Sequence, residues 1–128
     1  MGQSSVAVIR ISGPNSFNIA KKLTGTKKNR AHHEVALLLI KNIEGVSLDR
    51  GLFTFFVSPN SYTGEDIVEI SCHGNQLVVG IIINRCIKLG ARIAEPGEYT
   101  KRAFLNNKVS LSQAESVGAL ISSKSEEA

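Results

Sequence analysis

Apolar and polar positions along this chain alternate with two different periods, and the shorter period marks the strands. From Asp66 to Cys72 (DIVEISC) the side chains alternate between faces, with Val68, Ile70 and Cys72 on one and Ile67, Glu69 and Ser71 on the other. Ser5 to Ser12 (SVAVIRIS) is apolar on both faces, which predicts an interior strand covered on both sides. Arg10 interrupts that strand as Glu69 interrupts the other. An antiparallel meander is predicted between them: a strand over Ala31 to Ile40, a turn at Asn42 to Gly45, a short strand over Val46 to Leu48, and another over Leu52 to Val57. Ala91 to Ala94 reads as a further short strand.

The longer period predicts helices. Phe17, Ala20 and Leu23 form a stripe over Ser16 to Leu23, ending near Gly25. Gln76 to Leu89 is rich in β-branched residues, yet Gln76, Gly80, Asn84 and Lys88 recur every fourth position. That single polar stripe predicts an otherwise buried helix, capped by Asn75 and ended by Gly90 in a left-handed conformation. A tight turn, Glu95 to Glu98, opens a helix over Tyr99 to Leu105. A last helix begins at Leu111 or Ser112, with Ser112 and Glu115 spaced as a capping box and Ala114, Val117, Leu120 and Ile121 on one face. These elements predict an α+β domain, a mixed and largely antiparallel sheet with helices packed on it. Residues 1–121 are expected to form that domain, and 122–128 to begin the linker or helical domain of a longer protein.

Composition narrows the functional classes. The chain has 128 residues, 42% hydrophobic and 20% charged, which suits one folded domain. The net charge is +4, partly from Lys21, Lys22, Lys27, Lys28 and Arg30, a run that reads first as a solvated helix end and loop. Trp is absent and aromatics make up 5%, so a base-stacking platform is poorly supported. Cys72 and Cys86 are expected as buried thiols in a reducing compartment, and a cytoplasmic location with no membrane span is expected. His32 and His33 lack further ligands at metal-site spacing and read as surface residues. The loop Ser58 to Gly64 carries Tyr62 and Thr63 at a strand mouth, either a ligand-lining loop or a plain turn. No phosphate-binding Gly-x4-Gly-Lys loop and no dinucleotide fingerprint are present. Cys72 and His73 point to opposite faces of a strand and cannot act as a catalytic pair. The start of the helix after Asn75, beside Glu69, could attract an anion, as any helix start could.

Three charges remain in apolar or tightly turned settings: Arg10, Glu69 and Lys108. A mid-strand carboxylate is costly to bury unless it is paired. Either Arg10 pairs with Glu69 internally, or a ligand completes the carboxylate. A carboxylate recognises two parallel N–H donors best, and Arg and Lys suit acid groups. A folate offers both, with the pterin 2-amino and N3 edge toward Glu69 and the glutamate tail toward the cations.

Three stretches then carry a pattern: VAVIRISGP (Val6 to Pro14), PNSYTGEDIVEISCHGN (Pro59 to Asn75) and RIAEPGEYTKRAFLNNKVSLSQAESVGALI (Arg92 to Ile121). Together they resemble the N-terminal domain of the bacterial and organellar tRNA-modification GTPases of the MnmE (TrmE) family. That domain in turn resembles the tetrahydrofolate-binding domain of the glycine-cleavage aminomethyltransferase. The resemblance implies a homodimer that binds 5-formyltetrahydrofolate or 5,10-methylenetetrahydrofolate. Full-length members carry GTP, magnesium and potassium sites in a further domain. With the FAD-dependent MnmG (GidA) subunit they modify carbon 5 of the wobble uridine, U34, in tRNA. The family's folate-contacting residues fall on Arg10 in R-I-S-G, Glu69 in T-G-E-D-x-x-E, and Lys108 after A-F-L-N. Because the GTPase motifs are absent, this chain alone is expected to hydrolyse no GTP. Two alternatives stand beside this reading: a folate-dependent aminomethyltransferase-like domain, and a dimerisation module without ligand.

Overall fold

A computed structural model of the chain describes residues 5–127, with side chains described as far as Ser122. Four strands, β1 (Val6–Ser12), β2 (Val35–Lys41), β3 (Ser47–Phe56) and β4 (Ile67–His73), form one sheet in the order β1-β4-β3-β2. All three pairings are antiparallel. Four helices follow or intervene: α1 (Ser16–Thr24), α2 (Gln76–Lys88), α3 (Glu98–Leu105) and α4 (Leu111–Glu127). The α+β class is therefore as the patterning implied, with no parallel pair among the described strands.

One sheet face and two helices make the core. Ile9 and Ile11, Val68 and Ile70, and Phe53 and Phe55 point from the strands toward Ile19 and Leu23 of α1 and Ile82 and Cys86 of α2, and all are buried. At 3.6 residues per turn those helix positions share a stripe. The Asn75 side chain accepts from the backbone N–H of Leu77 at 2.9 Å and of Val78 at 3.3 Å, capping α2 as its sequence implied. Gly25 ends α1 in the left-handed region, φ 75°.

The opposite sheet face is open. Val6 and Val8 of β1, Val35, Leu37 and Leu39 of β2, and Leu52 of β3 lie exposed on it, Val6 at 69% and Leu37 at 60%. Hence β1 is an edge strand with one bare face, not the doubly covered interior strand its composition suggested. Its apolar outer residues are uncovered because α1 and α2 both pack on the other side.

Several boundaries differ from the patterning. His33 takes a positive φ of 64°, which breaks the extended chain, so β2 begins at Val35 and not at Ala31. The two strands expected over Val46 to Leu48 and Leu52 to Val57 are one strand, β3. Gly51 at its centre is packed so closely that a Cβ there would lie 2.9 Å from Ile40 Cδ1 and 3.1 Å from Ile70 Cγ2. Ala91 to Ala94 forms no strand; it runs past β1 with a cavity between, so no ladder can close. The box at the start of α4 is Ser110 with Gln113, two residues earlier than Ser112 with Glu115. Ser110 Oγ accepts from Gln113 N at 3.1 Å, and Gln113 Oε1 accepts from Ser110 N at 2.8 Å. The helix begins at Leu111, so the capping position falls on Ser110. α2 is less enclosed than its pattern implied, since Leu77, Ile81 and Ile87 are exposed. α4 runs through position 121 to Glu127 without a break, and Ala128 lies outside the described residues.

Candidate ligand cleft beside strand β1

A cleft of about 1080 Å³ follows the free edge of β1. Its far wall is the segment 90–94 and α3; its floor comes from α2 through Val79, Ile83 and Cys86. Because it wraps round an edge strand, side chains from both faces of β1 reach it, Ile9 and Ile11 as well as Arg10. The size lies just above the usual range of small-molecule sites, roughly 300–1,000 Å³.

Arg10 and Glu69 meet on the cleft wall. They are directly opposed in the β1–β4 register, so both point to the open face. Arg10 Nε donates to Glu69 Oε2 at 2.7 Å, with the side chains 56% and 31% exposed. Glu69 is thus half-buried and paired with protein, not sealed in the sheet interior as its sequence context implied. The reason is topological: its face carries no helix layer. Among the described residues none donates to its Oε1, and none accepts from the terminal nitrogens of Arg10. Such an exposed cross-strand pair contributes roughly 0.2–1 kcal/mol.

Lys108 stands apart. Its side chain is exposed and does not line the cleft. It follows Asn107, which has φ 60°, in a turn closed by its own N–H donating to Ala103 O at 2.7 Å. Asn106 Nδ2 donates to Thr63 O at 2.7 Å, which docks that turn on the loop before β4. The start of α2 is also not part of the cleft, which takes residues from Val79 onward.

A polar network unread in the sequence holds the far wall. Arg102 donates through Nε and Nη2 to Glu98 Oε2, at 3.0 and 2.6 Å, and through Nη1 to Glu65 Oε1 at 2.8 Å. Arg92 grips the same Glu98 carboxylate at 2.8 and 2.5 Å. The Arg92 hydrogen bond, the Glu95 backbone N–H and Arg102 hold the Glu98 carboxyl down at about 2. Ser12 Oγ donates to Glu65 Oε1 at 2.7 Å and lies 2.7 Å from Thr63 Oγ1, so β1, the loop and α3 are tied together. Tyr62, from the loop the sequence marked as a possible ligand lining, does line the cleft and bonds Thr100 Oγ1 at 2.9 Å. Tyr99 donates to Arg10 O at 2.9 Å; burial pushes its phenol pKa up, so it stays a donor. The i, i+4 spacing of Glu98 and Arg102 was the signal available in the sequence. Nothing local marked Glu65 as their partner.

The groups present are binding groups. Burial pushes the Cys86 thiol up to about 11, so it is no nucleophile at neutral pH. Cys72 is likewise buried and free, its thiol pKa raised by burial. Among the described residues no cluster of three His, Cys, Asp or Glu could hold a metal, and no helix is long and apolar enough to cross a membrane. His32 accepts the Val57 N–H at Nδ1 and stacks on His33, a packing role. A half-buried carboxylate with one oxygen to which no described residue donates, an adjacent guanidinium and apolar walls can recognise a planar heterocycle that offers N–H donors.

Residues 1–108 match the family model described as "GTP-binding protein TrmE N-terminus". Curated proteins named tRNA modification GTPase MnmE are similar across nearly the whole chain. The protein of Thermosipho melanesiensis is 50% identical over 98% of this chain. That of Chromobacterium violaceum is 46% identical over 99%, and that of Laribacter hongkongensis 44% over 99%. In each case the chain spans 28% of the relative's length. On the extent of these matches, the chain belongs to the TrmE N-terminal domain family.

Proposed function

We propose that this domain binds a reduced folate, 5-formyltetrahydrofolate or 5,10-methylenetetrahydrofolate, in the cleft beside β1. It would do so as the homodimerising part of a tRNA-modifying GTPase acting on carbon 5 of U34. The supporting observation is Glu69: among the described residues none donates to its Oε1, which lies on the wall of a cleft of about 1080 Å³. These residues fit a pteridine. Its 2-amino and N3 edge would take the Glu69 carboxylate, replacing one guanidinium donor by two N–H donors. Arg10 would then turn to the acidic tail, and Lys108, outside the cleft, would meet that tail where it emerges. When bound, the folate supplies the one-carbon unit. The protein's own contribution is to orient the pteridine with Glu69 and to keep the cleft walls fixed through Arg102 and Tyr99.

GTP, magnesium and potassium would bind in segments beyond this chain, and the MnmG (GidA) flavoprotein and tRNA would join in the whole protein in the cytoplasm. The likeness to the folate domain of the glycine-cleavage aminomethyltransferase belongs to the same reading. A second reading, a dimerisation module without ligand, is favoured by the intact Arg10–Glu69 pair and the bare apolar sheet face, which a second copy would cover. Calorimetric titration of 5-formyltetrahydrofolate into the wild type and Glu69→Ala separates them. The folate reading expects binding by the wild type and at least a tenfold loss in the variant. Absence of binding by the wild type, with a dimer retained, supports the second reading.

A further inference from the structure

The charges on this molecule are segregated. Eight of its fifteen Lys and Arg residues lie within 16–45 and 76–90: Lys21, Lys22, Lys27, Lys28, Arg30, Lys41, Arg85 and Lys88. Of its eleven acidic residues, Glu34 and Glu44 lie there. The fold draws these segments together on the flank formed by α1, the loop after it, the end of β2 and the last turn of α2. Arg85 reaches from α2 to the carbonyl oxygen of Lys41 at 3.4 Å and toward that of Lys22 at 3.5 Å, stitching the two helix ends to the strand. The Lys41 ammonium sits over the α1 terminus, 3.4 Å from where a Cβ on Gly25 would be. On the other side of α1, Lys21 donates to Asn29 at 2.6 Å, beside a cavity of about 170 Å³ also lined by Lys28, Arg30, Thr24 and Thr26.

Cations in the last turn of a helix are favoured by its dipole, by about 0.3–1 kcal/mol each, which accounts for Lys21, Lys22, Arg85 and Lys88 one at a time. It does not account for Lys27, Lys28 and Lys41, nor for the shortage of acids. Glu34 is engaged by Arg30 at 2.9 Å and by Lys28 at 3.9 Å. Among the described residues Lys22, Lys27, Lys41, Arg85 and Lys88 have no carboxylate partner. Like charges gathered on one flank repel; the phosphates of a polyanion neutralise them, and the counterions they release drive the association.

We infer that this flank docks the phosphodiester backbone of an RNA. The inference rests on the tRNA part of the proposed function and is independent of its folate part. RNA is favoured over an acidic protein because the relatives this chain matches are named for tRNA modification. With no Trp in the chain and cations on flexible stems, contact is to phosphates and carries little base preference.

The test is fluorescence anisotropy with a labelled, unmodified tRNA and the 128-residue chain across a salt series. Lys22→Glu/Lys28→Glu reverses two exposed charges on the flank; Arg50→Glu/Lys101→Glu makes the same change in net charge elsewhere. The flank variant should lose about tenfold or more in affinity, with the slope of log K against log salt shallower by about 1.4–1.8. The control variant should stay within about threefold of the wild type. Equal loss in both variants, an unchanged flank variant, or a wild type that does not bind tRNA at low salt overturns the inference; the last outcome would turn the flank toward an acidic protein. Folate titration of the same variants should match the wild type, so failure here is distinguishable from failure of the cleft.

Discussion

Arg10 faces Glu69 across the β1–β4 ladder with 2.7 Å between Nε and Oε2, on the wall of a cleft and on the bare face of the sheet. An exposed pair of this kind holds little stability, roughly 0.2–1 kcal/mol. Arg10→Ala should therefore lower urea stability by no more than about 1 kcal/mol. A loss of about 3 kcal/mol would mark the pair as a buried strut and remove the reason for assigning it to ligand.

Arg102 is the opposite case. It ties α3 to the loop before β4 through Glu65 and grips Glu98 one turn earlier in its own helix. Arg102→Ala leaves the two acids with three donated hydrogen bonds fewer. It should cost about 1–3 kcal/mol in urea unfolding, the scale of lost charged hydrogen bonds in a partly exposed setting. Arg102→Lys should recover part of that, since Lys cannot span both carboxylates with a planar fork. An Arg102→Ala protein as stable as the wild type would show that the cleft wall is held by packing alone.

Glu98 sets an acid limit on that wall. Its folded carboxyl sits at about 2 against an ordinary 4.5, lowered by the Arg92 hydrogen bond, the Glu95 N–H and Arg102. A depressed carboxyl stabilises the fold above its ordinary value, and the contribution is lost as pH falls from 4.5 toward 2. Following the Glu98 side-chain carboxyl by NMR should give a midpoint near 2, with α3 amide protection falling over the same range. A midpoint near 4.5 would mean that the Arg92 and Arg102 contacts are not kept in solution.

The sequence made the strand faces and the four helices legible because their signals are local. Alternation over Ile67 to Cys72 and the polar stripe from Gln76 to Lys88 each lie within one element, and Asn75 caps its own helix. What it hid was which face of the sheet would be covered. Val6 and Val8 look the same whether a helix or bare surface lies above them, so β1 read as interior and Glu69 as buried. Arg10 and Glu69 were visible as anomalies, and their opposition depended on a register between residues 59 positions apart. The Arg102–Glu65 link, 37 positions apart, had no local mark at all. Lys108, a charge in a tightly turned setting that the family pattern also marks, does not line the cleft.

The most direct measurement is a crystal structure of the chain grown with 5-formyltetrahydrofolate. Such crystals should show density for the pteridine between β1 and α3, its 2-amino and N3 edge within hydrogen-bond distance of the Glu69 carboxylate, and the Arg10 guanidinium withdrawn from Oε2. Folate bound elsewhere, or an empty cleft with Arg10 still closed on Glu69 at saturating folate, would contradict the folate reading.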